Sequence, residues 1–319
     1  MTGKYKGIGR RGIFFSLIAM LLAGLTISSF LVYNKYKYSD QMDIIGTRVV
    51  TMNDFLNSID DDLNRALYIA SFRALITMDD YITNVNKSGG RLLNNSASSF
   101  KQLMNNGTME NRSEEEPLMI DQTMPDWMKK IENISLKIGI NTTINMSYIS
   151  IYHTSPWKVG IKANFSITMD DEKEVAHWDK VISTETDVEI IGFQDPLYAN
   201  RTGGVYRKIE QIDITKWNVS NLMLFLESGK YTAKSSSPTF LMRMEGNMSG
   251  NPNGILTLVD EDDVLETYNR SSVDFIYWGT QANSNQKIHD ITDDGYENFR
   301  LDPEHIEHFN ASDYNYTGP

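Results

Sequence analysis

The histidines near the C-terminus are the residues best suited to bind a metal ion. Residues 302–308, DPEHIEH, place His305 and His308 three positions apart, a spacing that shares one face of a helix. Only these two histidines converge, Pro303 sets them in a first helical turn, and no HExxH spacing accompanies them. We interpret the segment as a solvated helix face, and we predict no metal ion and no other cofactor.

Two acidic clusters could supply oxygen ligands for calcium. They are DEDD at residues 260–263 and DITDDG at residues 290–295. Neither cluster has the oxygen spacing or the closing glutamate of an EF-hand loop. We interpret both as surface acids.

Signatures of common catalytic sites are missing from the sequence. It contains no GxSxG, no GxxxxGK[ST] and no GxGxxG, and its five histidines have no supporting motif. Cysteine is absent, which excludes disulfides, zinc–thiolate sites and cysteine nucleophiles. We predict that the protein is not an enzyme and has no catalytic residues. An anchored extracellular hydrolase is the weakest alternative.

Potential N-glycosylation sites are the strongest compositional signal. Fourteen Asn-x-Ser/Thr sequons occur, and none precedes residue 86, whereas this composition would give about four by chance. The excess predicts a chain exported past an oligosaccharyltransferase, and the alternative is an asparagine-rich surface with accidental sequons. The candidates are Asn86, Asn94, Asn106, Asn111, Asn133, Asn141, Asn145, Asn164, Asn200, Asn218, Asn247, Asn269, Asn310 and Asn315.

An uncharged apolar segment, residues 13–33, precedes all of these sites. As a helix its 21 residues rise about 31 Å, the thickness of a bilayer's hydrocarbon core. Basic residues and no acids lie before the segment, so the charge bias places residues 1–12 in the cytoplasm and the chain after residue 33 outside. We predict a single-pass membrane protein in contact with lipid. A cleaved secretory signal is the alternative.

Heptad spacing follows the apolar segment and predicts an amphipathic stalk helix over residues 34–84. Such a seam could form a coiled coil, or it could be the face on which a globular domain packs. Gly46 interrupts the helix at a cost of about 1 kcal/mol without changing the phase of the pattern. The seam residues are Met42, Ile45, Val49, Met52, Leu56, Ile59, Leu63, Ala66 and Ala70.

The N-terminal region resembles archaeal type IV pilin-like proteins. The resemblance rests on Arg10-Arg11-Gly12 followed by the apolar sequence IFFSLI, and it covers about residues 4–80. In that family a peptidase cuts after the glycine that ends a basic leader, which implies processing between Gly12 and Ile13. The resemblance also implies contacts with other pilin-like subunits through the helix of residues 13–70. An uncleaved anchor is the alternative.

The net charge is −12. Because residues 1–34 carry four basic and no acidic side chains, the remainder carries −16. Nucleic acid and anionic surfaces would be repelled by this charge, so we predict no nucleic-acid partner.

The rest of the chain predicts an α+β fold. Residues 85–122 are rich in Asn, Ser, Gly and Glu, and we interpret them as a mobile polar loop in which residues 92–104 could form a short helix with little to bury. Residues 123–319 then form a globular domain. Its first element is a helix that begins at Thr123. Three alternating segments after it, around residues 144–148, 159–169 and 182–190, predict an antiparallel β-meander.

Shorter elements complete this domain. We predict a loop at residues 193–198, a helix over 215–227 that ends at Gly229, strands at 240–244, 255–259 and 273–278, and a last helix capped by Asp302. The aromatic residues Tyr148, Tyr152, Trp157 and Trp178 could form a sugar- or partner-binding surface, but we expect them in the core of the sheet.

The sequence therefore predicts a non-enzymatic surface glycoprotein of the archaeal cell surface, either a type IV pilin-like subunit or a stalk-anchored structural protein. The alternative is a membrane-anchored adhesin or receptor ectodomain that binds a surface glycan or protein.

Overall fold

A computed structural model describes residues 10–84, 91–109, 118–214, 216–264, 269–279, 288–291, 299–311 and 316–317. The architecture is α+β, as predicted: a long N-terminal helix is followed by a smaller region with antiparallel sheet. The helices are α1 Arg10–Thr83, α2 Ser96–Asn106, α3 Met124–Lys137, α4 Pro196–Arg201, α5 Val219–Ser228, α6 Phe240–Glu245, α7 Asp274–Tyr277 and α8 Pro303–His308. The strands are β1 Ile140–Ser155, β2 Lys158–Asp171, β3 His177–Glu189, β4 Thr232–Ala233, β5 Ile255–Leu256, β6 His289–Ile291, β7 Arg300–Leu301 and β8 Tyr316–Thr317.

Helix α1 runs through the apolar segment and the predicted stalk without a break. From Met52 onward its apolar seam is buried against the rest of the chain, whereas Met42 is 71% and Ile45 41% exposed. The upper part of the seam is therefore the packing face of the chain's own globular region. Heptad spacing alone could not distinguish this role from a coiled coil, because both bury the same positions.

The predicted β-meander is confirmed. Strands β1, β2 and β3 pair antiparallel in that order. Alternate residues of β2, among them Ile161, Phe165 and Met169, are buried on the inner face. Helix α3 packs against β1 and helix α1 against β3. The outer face of the sheet therefore points away from α1.

Helix α3 begins where the sequence predicts. Thr123 and Asp126 form a capping box, and Pro125 lies in the first turn. Met128 and Ile131 are buried, whereas Ile134 and Ile138 remain exposed. The buried stripe is thus shorter than the apolar periodicity of the helix.

The segment 85–122 differs from the predicted mobile loop. Within it, α2 is capped by Asn95 at its start and by Gly107, in a left-handed conformation, at its end. Phe100, Leu103 and Met104 are buried in the main core. The prediction that this helix has little to bury is wrong. Because most residues of this segment are polar, the one apolar face of α2 was not recognised in the sequence.

Three short elements also differ from the sequence prediction. Residues 240–244 and 273–278, expected as strands, form helices α6 and α7, and the expected loop at 193–198 contains the start of α4. A short apolar run fits a buried helical turn as well as a strand, so periodicity could not separate the two. Helix α8 begins after its cap Asp302, as predicted. Helix α5 ends at Gly229 as predicted, but it begins at Val219 with Asn218 as its cap, four residues after the predicted start.

Two of the four aromatic residues expected in the core lie on the outer face of the meander. Tyr148 is 51% and Tyr152 36% exposed, whereas Trp157 and Trp178 are half-buried and pack against the core. Tyr152 lies opposite Gly160, where its ring occupies the space that a side chain on Gly160 would need. Its hydroxyl donates a hydrogen bond to Glu185 on β3.

Candidate functional site

The apolar start of α1 is the first candidate site. Side chains 13–33 are exposed all around the helix, and the most hydrophobic window is 0% buried. Among the described residues, Ile13–Thr83 is the helix long and apolar enough to cross a membrane. Since it has no protein contacts on any side, this segment is not a core helix of the globular region.

Two of the four serine and threonine side chains in this segment bond to the helix's own backbone. Ser16 donates a hydrogen bond to the carbonyl of Ile13 at 2.9 Å, and Thr26 donates one to Ala23 at 2.9 Å. A hydroxyl bonded to its own backbone costs little in hydrocarbon, because its donor has a partner. The helix is chemically suited to lipid.

The junction between α1 and the globular region is held by Arg48. Its guanidinium donates hydrogen bonds to Asp171 at the end of β2 and to the carbonyl of Gly139 before β1. Asp171 also accepts from the backbone N–H of Lys173 at 2.9 Å. The hydrogen bond from Arg48 lowers the pKa of Asp171. The pair therefore stays charged at neutral pH and fixes α1 to the base of the sheet.

Two cavities flank this junction. One, of about 650 Å³, lies between α1 and the hairpin at Lys173, and the other, of about 680 Å³, lies between that hairpin and the start of β1. The second is lined by His177, whose Nδ1 and Nε2 lie 2.6 Å from Asp170 and 2.9 Å from Asp179. Both nitrogens of this imidazole are thus occupied, so it is not a free base.

The sequon asparagines lie at the surface wherever the structure describes them. Asn86, Asn111 and Asn315 fall outside the described residues. Asn164 and Asn200 are half-buried. The exposed acceptors are Asn94, Asn106, Asn133, Asn141, Asn145, Asn218, Asn247, Asn269 and Asn310. Gly12 is helical, and Ile13 is 57% exposed.

The C-terminal histidine segment does bring potential metal ligands together. Ligand atoms of Asp302, Glu304 and His305 lie within 4.8 Å of one another. Asp302, however, caps α8, accepts a hydrogen bond from the hydroxyl of Ser271 at 2.8 Å, and contacts Nδ1 of His305 at 2.8 Å. Glu304 pairs with Lys234 at 3.4 Å. Asp302 and Glu304 thus have partners within the chain, and Asp302 caps α8. His305 is fully buried, so the segment is not the solvated helix face that the sequence predicted.

Ser271, His305 and Asp302 of this cluster are not arranged for nucleophilic catalysis. Ser271 donates to the aspartate, whereas Nε2 of His305 is buried and has no hydrogen-bond partner among the described residues. A nucleophilic serine must donate the hydrogen bond of its hydroxyl to the histidine that takes its proton. The arrangement offers no activated hydroxyl.

The acidic clusters at 260–263 and 290–295 are described only in part; in the first, Asp263 binds Arg207 at 3.0 Å and the hydroxyl of Tyr198 at 2.6 Å.

A buried ion cluster is the largest feature that sequence reasoning missed. Arg243 on α6 is fully buried and binds Asp195, the cap of α4, and Asp274 on α7. Tyr231 adds a hydrogen bond from its hydroxyl to Asp195 at 2.6 Å. Burial alone would raise the pKa of Asp195, but Arg243 outweighs burial and lowers it. The cluster joins three short helices. No local motif signals a buried arginine, although Asp195-Pro196 signals a helix start.

Comparison of the chain with protein-family models, with curated proteins and with solved structures finds no match.

Proposed function

We propose that the protein is a single-pass surface glycoprotein that α1 anchors in a membrane, with its globular region outside the cell. The observation that carries this proposal is one continuous helix with two different environments. Its apolar start contacts no protein, and from Met52 it forms part of the core. A rigid connection of this kind suits a structural role, because it holds the globular region at a fixed distance from the bilayer.

The orientation follows from charge and from the sequons. Basic residues lie before the apolar segment, which favours a cytoplasmic N-terminus. Every sequon lies on the other side, and the described acceptors are exposed or half-buried. Glycosylation outside the cell is compatible with this arrangement.

Within this class we favour a type IV pilin-like subunit of an archaeal surface. The basic Arg10-Arg11-Gly12 sequence before an exposed apolar helix supports this assignment. Processing after Gly12 would remove the basic residues and leave Ile13 at the start of the lipid-facing helix. Such a subunit could pack through the helix of residues 13–70.

Intact-mass and N-terminal peptide analysis of protein purified from its own host's membranes tests the proposal. A chain that begins at Ile13 supports pilin-like processing, and excess mass supports glycosylation. A chain that retains residues 1–12 contradicts processing and favours a permanently anchored adhesin or receptor. A chain that begins after residue 33 would show that the apolar segment is a secretion signal and would refute anchoring.

The adhesin alternative has one structural observation in its favour. Tyr148 and Tyr152 present their rings to solvent on the outer face of the meander, and exposed aromatic rings are common in sugar- and protein-binding surfaces. Binding by the wild-type protein but not by Tyr148→Ser in a glycan screen would support this role, and no binding by either would count against it.

A further inference from the structure

An apolar stripe lies exposed on the outward side of α1, far from the membrane segment. It consists of Tyr68, Phe72 and Ile76, which are 45%, 36% and 43% exposed. A spacing of four residues places their side chains in one row along the helix. This is the type of ridge by which one helix packs into the groove of another.

The aromatic rings of the stripe pack against each other and against an aromatic residue of the core. The rings of Tyr68 and Phe72 stack with centroids 6.3 Å apart. Phe72 in turn makes an edge contact with Phe193 at 5.8 Å, and Phe193 makes one with Phe240 of the core at 5.6 Å. These rings are therefore held in place and present a preformed apolar surface.

The bilayer cannot cover this stripe. Tyr68 lies 35 residues beyond Tyr33, the end of the apolar segment, which is about 50 Å along a helix. The hydrocarbon core is only about 30 Å thick in total. The occupant must come from the same side of the membrane as the globular region.

We propose that the stripe is the surface through which two copies of this chain contact each other, an inference that rests on the proposed membrane anchoring. Copies inserted in one bilayer share the same orientation, and the rigid helix α1 places their stripes at the same height. Confinement to the membrane also raises the effective concentration of the stripes, so that a modest apolar contact is sufficient.

The charges beside the stripe suit a second copy. The chain carries a net charge of −12, which repels an identical molecule. On the membrane side of Tyr68, however, the exposed side chains of Asp61 and Arg65 lie one helical turn apart on the same side as the stripe. Arg65 also lies 3.6 Å from Asp62 of its own helix, an exposed pair that a second copy can replace. In a symmetric contact, Arg65 of one copy can face Asp61 of the other, so this part of the surface is self-complementary.

The stripe itself carries no sequon, although α4, which packs against α1, contains one at Asn200. None of the asparagines in α1 belongs to a sequon. In contrast, Asn141, Asn145 and Asn164 lie on the outer face of the meander, which points away from α1. Glycans on that face would keep it in solvent and would not obstruct a contact through α1.

Disulfide trapping gives a direct test, because the natural chain has no cysteine. Ile76→Cys and Tyr68→Cys each place one thiol on the stripe, and a disulfide can form only with another copy. Val181→Cys is the matched control, since Val181 is 73% exposed on the outer face of the meander. All variants are expressed at full length in membranes, oxidised mildly and separated without reductant.

We expect the stripe variants to yield at least about fivefold more covalent dimer than Val181→Cys, because disulfides form only between Cα atoms within about 7 Å. Equal yields, or no dimer from the stripe variants while the protein sediments with membranes, would overturn the inference and leave the anchoring intact. Protein found in the soluble fraction would instead refute the anchoring.

Charge reversal tests the self-complementary pair. In the Ile76→Cys background, Arg65→Glu should lower the yield of dimer by about threefold, and addition of Asp61→Arg should restore it. An unchanged yield in Arg65→Glu would overturn the proposed contact between Arg65 and Asp61.

Discussion

At the scale of single residues, two buried carboxyl groups, Asp195 and Asp274, share the guanidinium of Arg243, and a third, Asp79, interacts with Asp195. Arg243 donates two hydrogen bonds to Asp195, and its positive charge lowers the pKa of Asp195. Burial raises the pKa of Asp274 and raises that of Asp79 well above its usual value. Asp79 accepts a hydrogen bond from the backbone N–H of Gln194 at 3.1 Å, while its other oxygen has no partner among the described residues. Asp79 therefore keeps its proton to higher pH than an exposed aspartate.

This raised pKa predicts a pH-dependent effect of Asp79→Asn. A group whose pKa is higher in the folded state contributes stability that is complete below its unfolded pKa of about 3.8 and is lost as pH rises through the folded pKa. Asparagine does not titrate and keeps an oxygen for Gln194. Relative to the wild-type protein, Asp79→Asn should become more stable as pH rises from 5 to 8.

Thermal unfolding of the detergent-solubilised full-length chain at both pH values measures this difference. Asp54→Asn is the control, since Asp54 lies exposed on α1 and its carboxylate is already in water. A difference between Asp79→Asn and the wild-type protein that is the same at pH 5 and pH 8 would contradict the raised pKa.

At the scale of elements, capping signals were the most reliable part of the sequence. Asp302-Pro303 and the Thr123–Asp126 pair mark helix starts that the structure contains. Asp195-Pro196 carries the same signal and starts α4 in the same way, so the predicted loop there was avoidable. Residues 240–244 and 273–278 were not predictable in this way, because a run of about five apolar residues does not define its own period.

The buried polar contacts form a second class that the sequence could not reveal. Arg243 meets Asp195 across 48 positions of the chain and Asp274 across 31. Arg48 meets Asp171 across 123. Nothing in the local pattern of an arginine indicates a partner at such a separation, so these contacts emerge only when the elements are packed together.

Gly46 tests how much a glycine weakens helix α1. Gly46 lies on its exposed part, and a Cβ there would meet no atom within 4 Å. Gly46→Ala should therefore stabilise the helix by about 1 kcal/mol. Hydrogen exchange of the amides around residue 46 should slow by about fivefold.

The same substitution should have the opposite sign at the end of α2. Gly107 has φ +70°, and a Cβ there would collide with the carbonyl of Met119. Gly107→Ala should destabilise the protein. Faster or unchanged exchange around residue 46 in Gly46→Ala would show that glycine does not limit the stability of the helix there.

At the scale of the whole molecule, the surface has regions without sequons along α1 and a region with sequons on the outer face of the meander. The lower part of α1 is apolar and free of protein contacts, its upper part carries no sequon, and the outer face of the meander carries three. The sequence predicted the apolar segment and all of the sequons. The alternation over residues 159–169 also places Asn164 on the polar side of its strand. The sequence could not show that Asn141 and Asn145 share that face, because this depends on how β1 pairs with β2.

This assignment predicts unequal glycosylation on one face of one sheet. Asn145 and Asn164 lie on the neighbouring strands β1 and β2, but Asn145 is exposed, whereas Asn164 is half-buried opposite Tyr148 and its side-chain oxygen is inaccessible to solvent. If transfer occurs on the folded surface, occupancy at Asn141 and Asn145 should exceed that at Asn164.

Quantitative glycopeptide mapping of the native protein measures occupancy at each position. Tyr148→Ser, which removes the ring opposite Asn164, should raise occupancy at Asn164 and leave occupancy at Asn141 unchanged. Because the sequons themselves are unaltered in this variant, a selective increase at Asn164 would locate the limit in the folded sheet. Equal occupancy at all three asparagines in the wild-type protein would instead mean that transfer precedes folding, and the burial of Asn164 would then have no influence on its modification.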